Sequence, residues 1–159
     1  MPRRPGLHED FPDAYLIVAG TGSQTEDLVD RSRALGIAPR TRVIGEVSDR
    51  DLVPLLGRAA CAVFASADAG PMTDLLQAMA CGTPVLAAST PAHRDWVEDA
   101  DTGFLFPVAD TAALAVLLDD VNHRYPIDVV ERARARVERD ADWPANLTRL
   151  RAALSGQPT

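Results

Sequence analysis

The sequence alternates short apolar runs with helical patterns, and this alternation constrains the fold more than any other feature. Five apolar runs have the length and the β-branched or aromatic content of strands, at residues 15–19, 42–44, 61–65, 84–88 and 104–106. Segments with helical spacing follow them, at residues 26–35, 49–58, 73–80, 94–98, 111–121 and beyond 126. Strands joined by helices predict right-handed crossovers and an α/β fold with a doubly wound parallel sheet.

Length and charge exclude several classes of protein. The 159 residues suit one domain, predicted at residues 15–159 after an irregular segment at residues 1–14. A net charge of -7 argues against a broad nucleic-acid or anionic-lipid surface, which needs clustered cations. No apolar stretch approaches a membrane span, and the first residues lack a signal-peptide core, so we expect a cytoplasmic protein. Cys61 and Cys81 have neither metal nor redox spacing, and no metal site is predicted.

The loops that follow the strands are the expected binding site, because open parallel sheets bind ligands outside the carboxyl ends of their strands. Gly20-Thr21-Gly22 follows the first strand and could let backbone N–H groups approach a phosphate, or could be a plain turn. The small residues at 67–72 precede a helix whose N-terminus also suits a phosphate. The alternative there is that Thr73 caps the helix and Asp74 complements its dipole.

Two further charged segments have competing interpretations. His93 and Arg94 follow the fourth strand and could supply cations to a phosphate, or could form a solvated loop. Residues 131–140 alternate in sign and are interpreted as a solvated helix face.

Two longer motifs carry a family resemblance. Residues 77–85 read Gln-Ala-Met-Ala-Cys-Gly-Thr-Pro-Val, and residues 95–105 read Asp-Trp-Val-Glu-Asp-Ala-Asp-Thr-Gly-Phe-Leu. Both closely resemble the C-terminal, nucleotide-sugar-binding domain of retaining GT-B glycosyltransferases, the glycosyl transferases group 1 family. The match covers about residues 13–121, and Trp143 resembles a tryptophan of that family's closing helix. The resemblance implies a Rossmann-like half of a GT-B fold that lacks the domain's first strand and helix. In the usual strand order 3-2-1-4-5-6, the absent strand is the central one.

The resemblance also implies a set of donor-binding positions, with Val47 against the nucleobase and Val43 and Gly45 beside it. The predicted donor-binding residues are Gly20, Gly22, Val47, Asp68, Gly70, Thr73, Gln77, His93 and Arg94. The family's two paired glutamates correspond here to Ala69 and Gln77, and Asp68 could replace the first. An amide can still exchange hydrogen bonds with a ribose hydroxyl. No catalytic residue is assigned.

The resemblance therefore implies part of a retaining glycosyltransferase that binds a nucleoside diphosphate sugar as substrate, without a cofactor or metal. The acceptor would be held by an N-terminal domain or partner chain outside this sequence, and this chain alone is expected to be inactive. An open central sheet edge would favour association, including self-association. The alternatives are a non-catalytic glycosyltransferase-like interaction or regulatory module, and another doubly wound enzyme such as an epimerase.

Overall fold

The computed structural model describes residues 13–67, 72–142, 144, 146–148 and 151. The strands are β1 (Leu16–Ala19), β2 (Thr41–Gly45), β3 (Ala62–Phe64), β4 (Val85–Ala88) and β5 (Phe104–Phe106). The α-helices are α1 (Thr25–Ala34), α2 (Asp49–Leu56), α3 (Thr73–Ala80), α4 (Pro91–Arg94), α5 (Thr111–His123) and α6 (Ile127–Asp140), with a 3-10 helix at Ala38–Arg40. The predicted alternation is confirmed. The irregular segment predicted at residues 1–14 and the Trp143 position fall largely outside the described residues.

One predicted helix is wrong in its position. The sequence pattern placed it at residues 94–98, whereas α4 ends at Arg94. The cause is local, because the Thr90 hydroxyl accepts a hydrogen bond from the His93 N–H, and Pro91 occupies the first helical position. The helix therefore begins directly after β4.

The chain divides into two compact units, residues 1–52 and 53–159. In the first, the N-terminal unit, β1 and β2 form a parallel pair with Leu16 opposite Thr41. Helix α1 contacts β2 and the 3-10 helix. Among the described residues of this unit, Ser32 alone is buried. The described part of the N-terminal unit therefore has almost no apolar core of its own.

Strand β1 differs from its prediction in its burial. Its continuous apolar run predicts a strand covered on both faces, yet Leu16 is 50% exposed and Ile17 is 48% exposed. Successive residues of a strand point to opposite faces, so both faces of β1 are open. A strand of this composition is stabilised only where other elements cover it.

The second, C-terminal unit contains a parallel sheet of β3, β4 and β5, in that order. All four residues of β4 are buried. Leu86 and Ala88 pack with Phe106 and with Val121 of α5, so Val85 and Ala87 face the opposite side, where α3 contacts the sheet. Helices on both faces of a parallel sheet give the doubly wound arrangement that the sequence predicts.

The pairing of strands agrees with the expected order. β1 pairs with β2, and β4 lies between β3 and β5, as the order 3-2-1-4-5-6 predicts when strand 1 is absent. Within the part of the chain that the structure describes, no strand pairs with the second edge of β1 or of β3. No helix among these residues is long and apolar enough to cross a membrane.

Asp110 caps α5, the helix that covers one face of the C-terminal sheet. Its Oδ1 accepts hydrogen bonds from the N–H groups of Ala112 and Ala113 at 3.1 and 2.9 Å. We expect Asp110→Ala to lower the free energy of unfolding by about 1 kcal/mol, because two helix N–H groups lose their acceptor. Chemical denaturation measures this change. Asp110→Asn is the control and should stay close to wild type, since an amide oxygen still accepts; equal stability of all three proteins would contradict the capping role.

Candidate functional site

The residue after β1 and the last residue of β2 are joined by a backbone hydrogen bond. The Gly20 N–H donates to the Gly45 carbonyl at 2.7 Å, and the two glycines have φ angles of 117° and 71°. Residues with a side chain are strained at these angles, so glycine is needed for this close contact. Val47 follows in the same β2–α2 loop and is half-buried. The structure thus brings the Gly20 and Val47 loops together at the carboxyl ends of two neighbouring strands.

Gly22 opens α1. Its carbonyl accepts from the Thr25 N–H at 3.2 Å and from the Thr25 hydroxyl at 2.8 Å. A Cβ added at Gly22 would meet no atom within 4 Å, so the space around this loop is open. A shallow depression of about 340 Å³ lies along α1 instead, and it contains none of the predicted site residues.

Helix α3 carries two of the predicted donor-binding residues, Thr73 and Gln77. Asp68 and Gly70 lie outside the described residues, and the first helical residue is Thr73. Met72 occupies the N-cap without a side-chain hydrogen bond, so the expectation that Thr73 caps α3 is wrong. Among the described residues, the N-cap side chain therefore gives the first turn no hydrogen bond, and Asp74 is the acidic residue of that turn. Gln77 is half-buried one turn further along, on the same side as Thr73.

Helix α4 carries His93 and Arg94 directly after β4. The His93 side chain is nearly inaccessible, with the residue 2% exposed, and its Nδ1 lies 2.7 Å from the Ala88 carbonyl. A carbonyl only accepts, so this nitrogen carries a proton. Arg94 is exposed and donates from Nη2 to the Ser89 carbonyl at 3.0 Å. In this structure both side chains therefore hold α4 to the end of β4, and only Arg94 presents a cation at the surface.

A residue that the sequence analysis did not select also reaches this region. Arg136 of α6 contacts Glu98 and the Asp95 carbonyl, immediately after α4. The alternating charges of residues 131–140 predicted a solvated helix face. The structure differs, because Val130 and Ala133 on the same helix are buried and the Arg136 side chain is only 18% exposed. The spacing of Val130, Ala133 and Val137 was the available signal of a packed face.

The predicted site residues that the structure describes offer hydrogen-bond donors and a helix N-terminus. Burial raises the pKa of the Cys61 thiol, which disfavours its reactive thiolate. No cluster of three candidate metal ligands occurs among the residues that the structure describes. The predicted site residues fall into two sets. The C-terminal unit contains the set that follows the adjacent strands β3 and β4, which is Thr73, Gln77, His93 and Arg94. The N-terminal unit contains the set Gly20, Gly22 and Val47. Each set thus lies where parallel strands end.

Comparison with known proteins identifies relatives of this chain. The family model described as glycosyl transferases group 1 matches residues 5–138. A phosphatidyl-myo-inositol mannosyltransferase of Mycobacterium leprae is 34% identical, over 87% of this chain and 37% of its own length. A glycogen synthase of Mycobacterium tuberculosis is 32% identical, over 87% of this chain and 34% of its own length. The chain therefore spans about a third of the length of these relatives.

Solved structures share the fold. HepE of Anabaena, crystallised in complex with UDP, superposes with a TM-score of 0.80 at 21% identity, covering 91% of this chain and 42% of that one. The C-terminal domain of a glycosyl transferase group 1 family protein from Francisella tularensis gives a TM-score of 0.73 at 22% identity, covering 86% of this chain and 74% of that domain. These superpositions confirm the Rossmann-like half of a GT-B fold.

Proposed function

The chain belongs to the glycosyl transferases group 1 family, and from this premise we propose that it forms the donor-binding part of a retaining glycosyltransferase. The donor is a nucleoside diphosphate sugar, and the parent enzyme transfers the sugar to an acceptor. The observation that carries the proposal is the family match over residues 5–138, which includes every predicted donor-binding residue. HepE, a protein of the same fold, was crystallised with UDP, which supports a nucleotide as ligand.

The N-terminus of α3 is the element best suited to the diphosphate. Its N-cap residue Met72 makes no side-chain hydrogen bond to the first turn, and the helix dipole places partial positive charge there. The exposed Arg94 guanidinium adds a cation after the neighbouring strand. Gln77, on the next turn of α3, takes the ribose hydroxyls. Within the N-terminal unit, Gly20, Gly22 and Val47 stay predicted contacts of the donor.

The chemistry in this proposal is positioning and electrostatic stabilisation. The reacting sugar is held beside the acceptor, and the N–H groups and Arg94 stabilise the charge that grows on the departing diphosphate. Neither a metal nor a cofactor is required. No side chain of the described residues is assigned to attack the sugar.

The acceptor site belongs to the rest of the parent protein in this proposal, so the chain alone is inactive. The chain covers 37% of the length of its mannosyltransferase relative. The open faces of β1 and its unpaired edge among the described residues support a need for further chain beside this strand. We place the enzyme in the cytoplasm.

One observation favours a second candidate, a non-catalytic interaction module with a degenerate donor site. Ala69 and Gln77 stand where the resemblance places two glutamates. Loss of both carboxylates removes two charged hydrogen-bond acceptors from the sugar and the ribose. A module of this kind would keep the fold and bind nucleotide weakly or not at all.

Isothermal titration of the chain with UDP, GDP, ADP and their glucose and mannose conjugates tests the proposal. We expect one nucleotide to bind with a dissociation constant that shifts little when the sugar is added, because Ala69 cannot bond sugar hydroxyls. Gln77→Leu should weaken binding about tenfold through the lost ribose hydrogen bond, whereas the matched control Asn122→Leu, on the exposed side of α5, should not. Absence of heat with every nucleotide, for the parent protein as well, would refute donor binding. Binding by the parent without sugar transfer to any acceptor would favour the non-catalytic module.

A further inference from the structure

Arg136 of α6 holds the segment that follows α4. Its Nη1 lies 2.7 Å from Glu98 Oε1, and its Nη2 donates to the Asp95 carbonyl at 3.0 Å. Asp95 is the C-cap residue of α4, and carbonyls at a helix C-terminus lack partners within the helix. One guanidinium therefore satisfies the end of α4 and binds the turn beyond it.

The burial of Arg136 separates it from the other arginines of α6. Arg134 and Arg139 pair with acidic residues of their own helix and are exposed. Arg132 pairs with Asp101 and is 47% exposed, whereas the Arg136 side chain is 18% exposed. The Arg136 Nε also lies 4.0 Å from Asp140 Oδ2 of its own helix. A largely buried guanidinium is retained only where its hydrogen bonds and ion pairs offset the cost of removing it from water, and the contacts with Glu98 and the Asp95 carbonyl are those that reach beyond α6.

Helix α6 also packs against α3. The two helices are in contact, and Val130 and Ala133 are buried on the packed side of α6. A Cβ at Gly82, just after α3, would lie 3.6 Å from Val130 Cγ1. Hence α6 touches both the helix that carries Thr73 and Gln77 and the end of the helix that carries His93 and Arg94.

Helix α4 depends on its surroundings for its position. It has only four residues, and so short a helix is not stable by itself. Thr90 and His93 fix its start to β4. At its other end, the N–H groups of Trp96 and Val97 donate to the His93 carbonyl, and Arg136 is the charged contact from another helix.

We propose that Arg136 is a positioning residue, which acts through the Asp95 carbonyl and Glu98 to set α4 relative to α3 for donor binding. The inference rests on the proposed function, since it concerns the same two helices. Arg136 does not touch the donor. Its effect is to keep the Arg94 cation and the α3 N-terminus in one fixed arrangement.

The test uses Arg136→Ala and Arg136→Lys, with Arg134→Ala as the matched control on the exposed side of α6. All variants carry Trp143→Phe, which leaves Trp96 as the sole tryptophan, since the chain has two. Hydrogen exchange of the residue 95–98 amides, Trp96 fluorescence and the dissociation constant for UDP are measured for each. For Arg136→Ala we expect exchange at residues 95–98 to rise and UDP binding to weaken, each about tenfold, the factor for one lost hydrogen bond to a charged group. Arg136→Lys should raise exchange and weaken UDP binding less than Arg136→Ala does, because the ammonium group keeps one of the contacts with Glu98 and the Asp95 carbonyl. Arg134→Ala should change neither quantity.

Each other outcome has a distinct meaning. Unchanged exchange and unchanged UDP affinity in Arg136→Ala would overturn the inference. A uniform rise in exchange over the whole C-terminal unit would overturn it as well, because it would indicate general destabilisation. If Arg136→Ala fails to fold, Glu98→Gln takes its place, because it removes the charge of the exposed partner. Unchanged exchange at residues 95–98 in Glu98→Gln would also overturn the inference. If neither the wild-type chain nor the parent protein binds any of the nucleotides, the proposed function fails, while the exchange measurement still decides whether Arg136 fixes the segment.

Discussion

Replacing Leu86 with alanine is expected to lower the free energy of unfolding of the C-terminal unit by about 2–5 kcal/mol. Leu86 is fully buried in β4, the middle strand of its sheet, and packs with Phe106 and Val121. Removing its side chain loses the apolar transfer energy and leaves a cavity that a central strand, fixed by neighbours on both edges, cannot close. Urea denaturation followed by Trp96 fluorescence, with Trp143→Phe in every protein, measures the change.

The matched control is Leu16→Ala in β1. The substitution is the same, but Leu16 is 50% exposed, so we expect a loss below about 1 kcal/mol in this chain. Equal losses at the two positions would show that β1 is covered in solution. In a longer parent protein whose additional segment covers β1, the cost of Leu16→Ala should rise towards that of Leu86→Ala, which makes the pair a test of the proposed requirement for further chain.

Gly103→Ala should destabilise the same unit by about 1–3 kcal/mol. A Cβ at this position would lie 2.8 Å from Val97 Cγ1 and 3.1 Å from the Val85 carbonyl oxygen. Val97 is 1% exposed and Val85 is 2% exposed, so neither can move without displacing the core. The residue before β5 must therefore be glycine for steric reasons rather than for its φ angle.

Gly57→Ala provides the control for Gly103→Ala. The added Cβ would make an ordinary contact with the Val53 carbonyl oxygen at 3.5 Å, and Gly57 is not among the glycines with positive φ. Its effect should stay within about 0.5 kcal/mol. Thermal melting of both variants compares them, and a Gly103→Ala protein as stable as Gly57→Ala would contradict the packing at Val97.

Most elements were predictable because their signals are local. The strand at residues 104–106 and the helix at residues 73–80 have the bounds that the pattern predicted. The error at α4 has a local cause as well, since Thr90 and Pro91 begin the helix directly after β4.

The candidate site was predictable in part. The loops after each strand follow from topology. The structure places Gly20 directly after β1, Thr73 at the start of α3 and Arg94 at the end of α4. The contacts of His93 could not be predicted, because the same residue pattern suits a solvated loop and a ring that bonds the Ala88 carbonyl. The interpretation of residues 131–140 as a solvated face was wrong for Arg136 for a similar reason, since charge alternation does not reveal which side of a helix is packed.

The amino-acid sequence by itself determined the α/β alternation, the parallel sheet and the family, because these depend on residue spacing along the chain and on motifs of a few residues. Only the tertiary structure decided that β1 is exposed, that β4 is buried throughout and that Arg136 binds Glu98 and Asp95, which precede it by 38 and 41 positions. The physical reason is that an apolar run specifies a strand whether or not it is covered, whereas burial and long-range hydrogen bonds depend on which elements pack beside it.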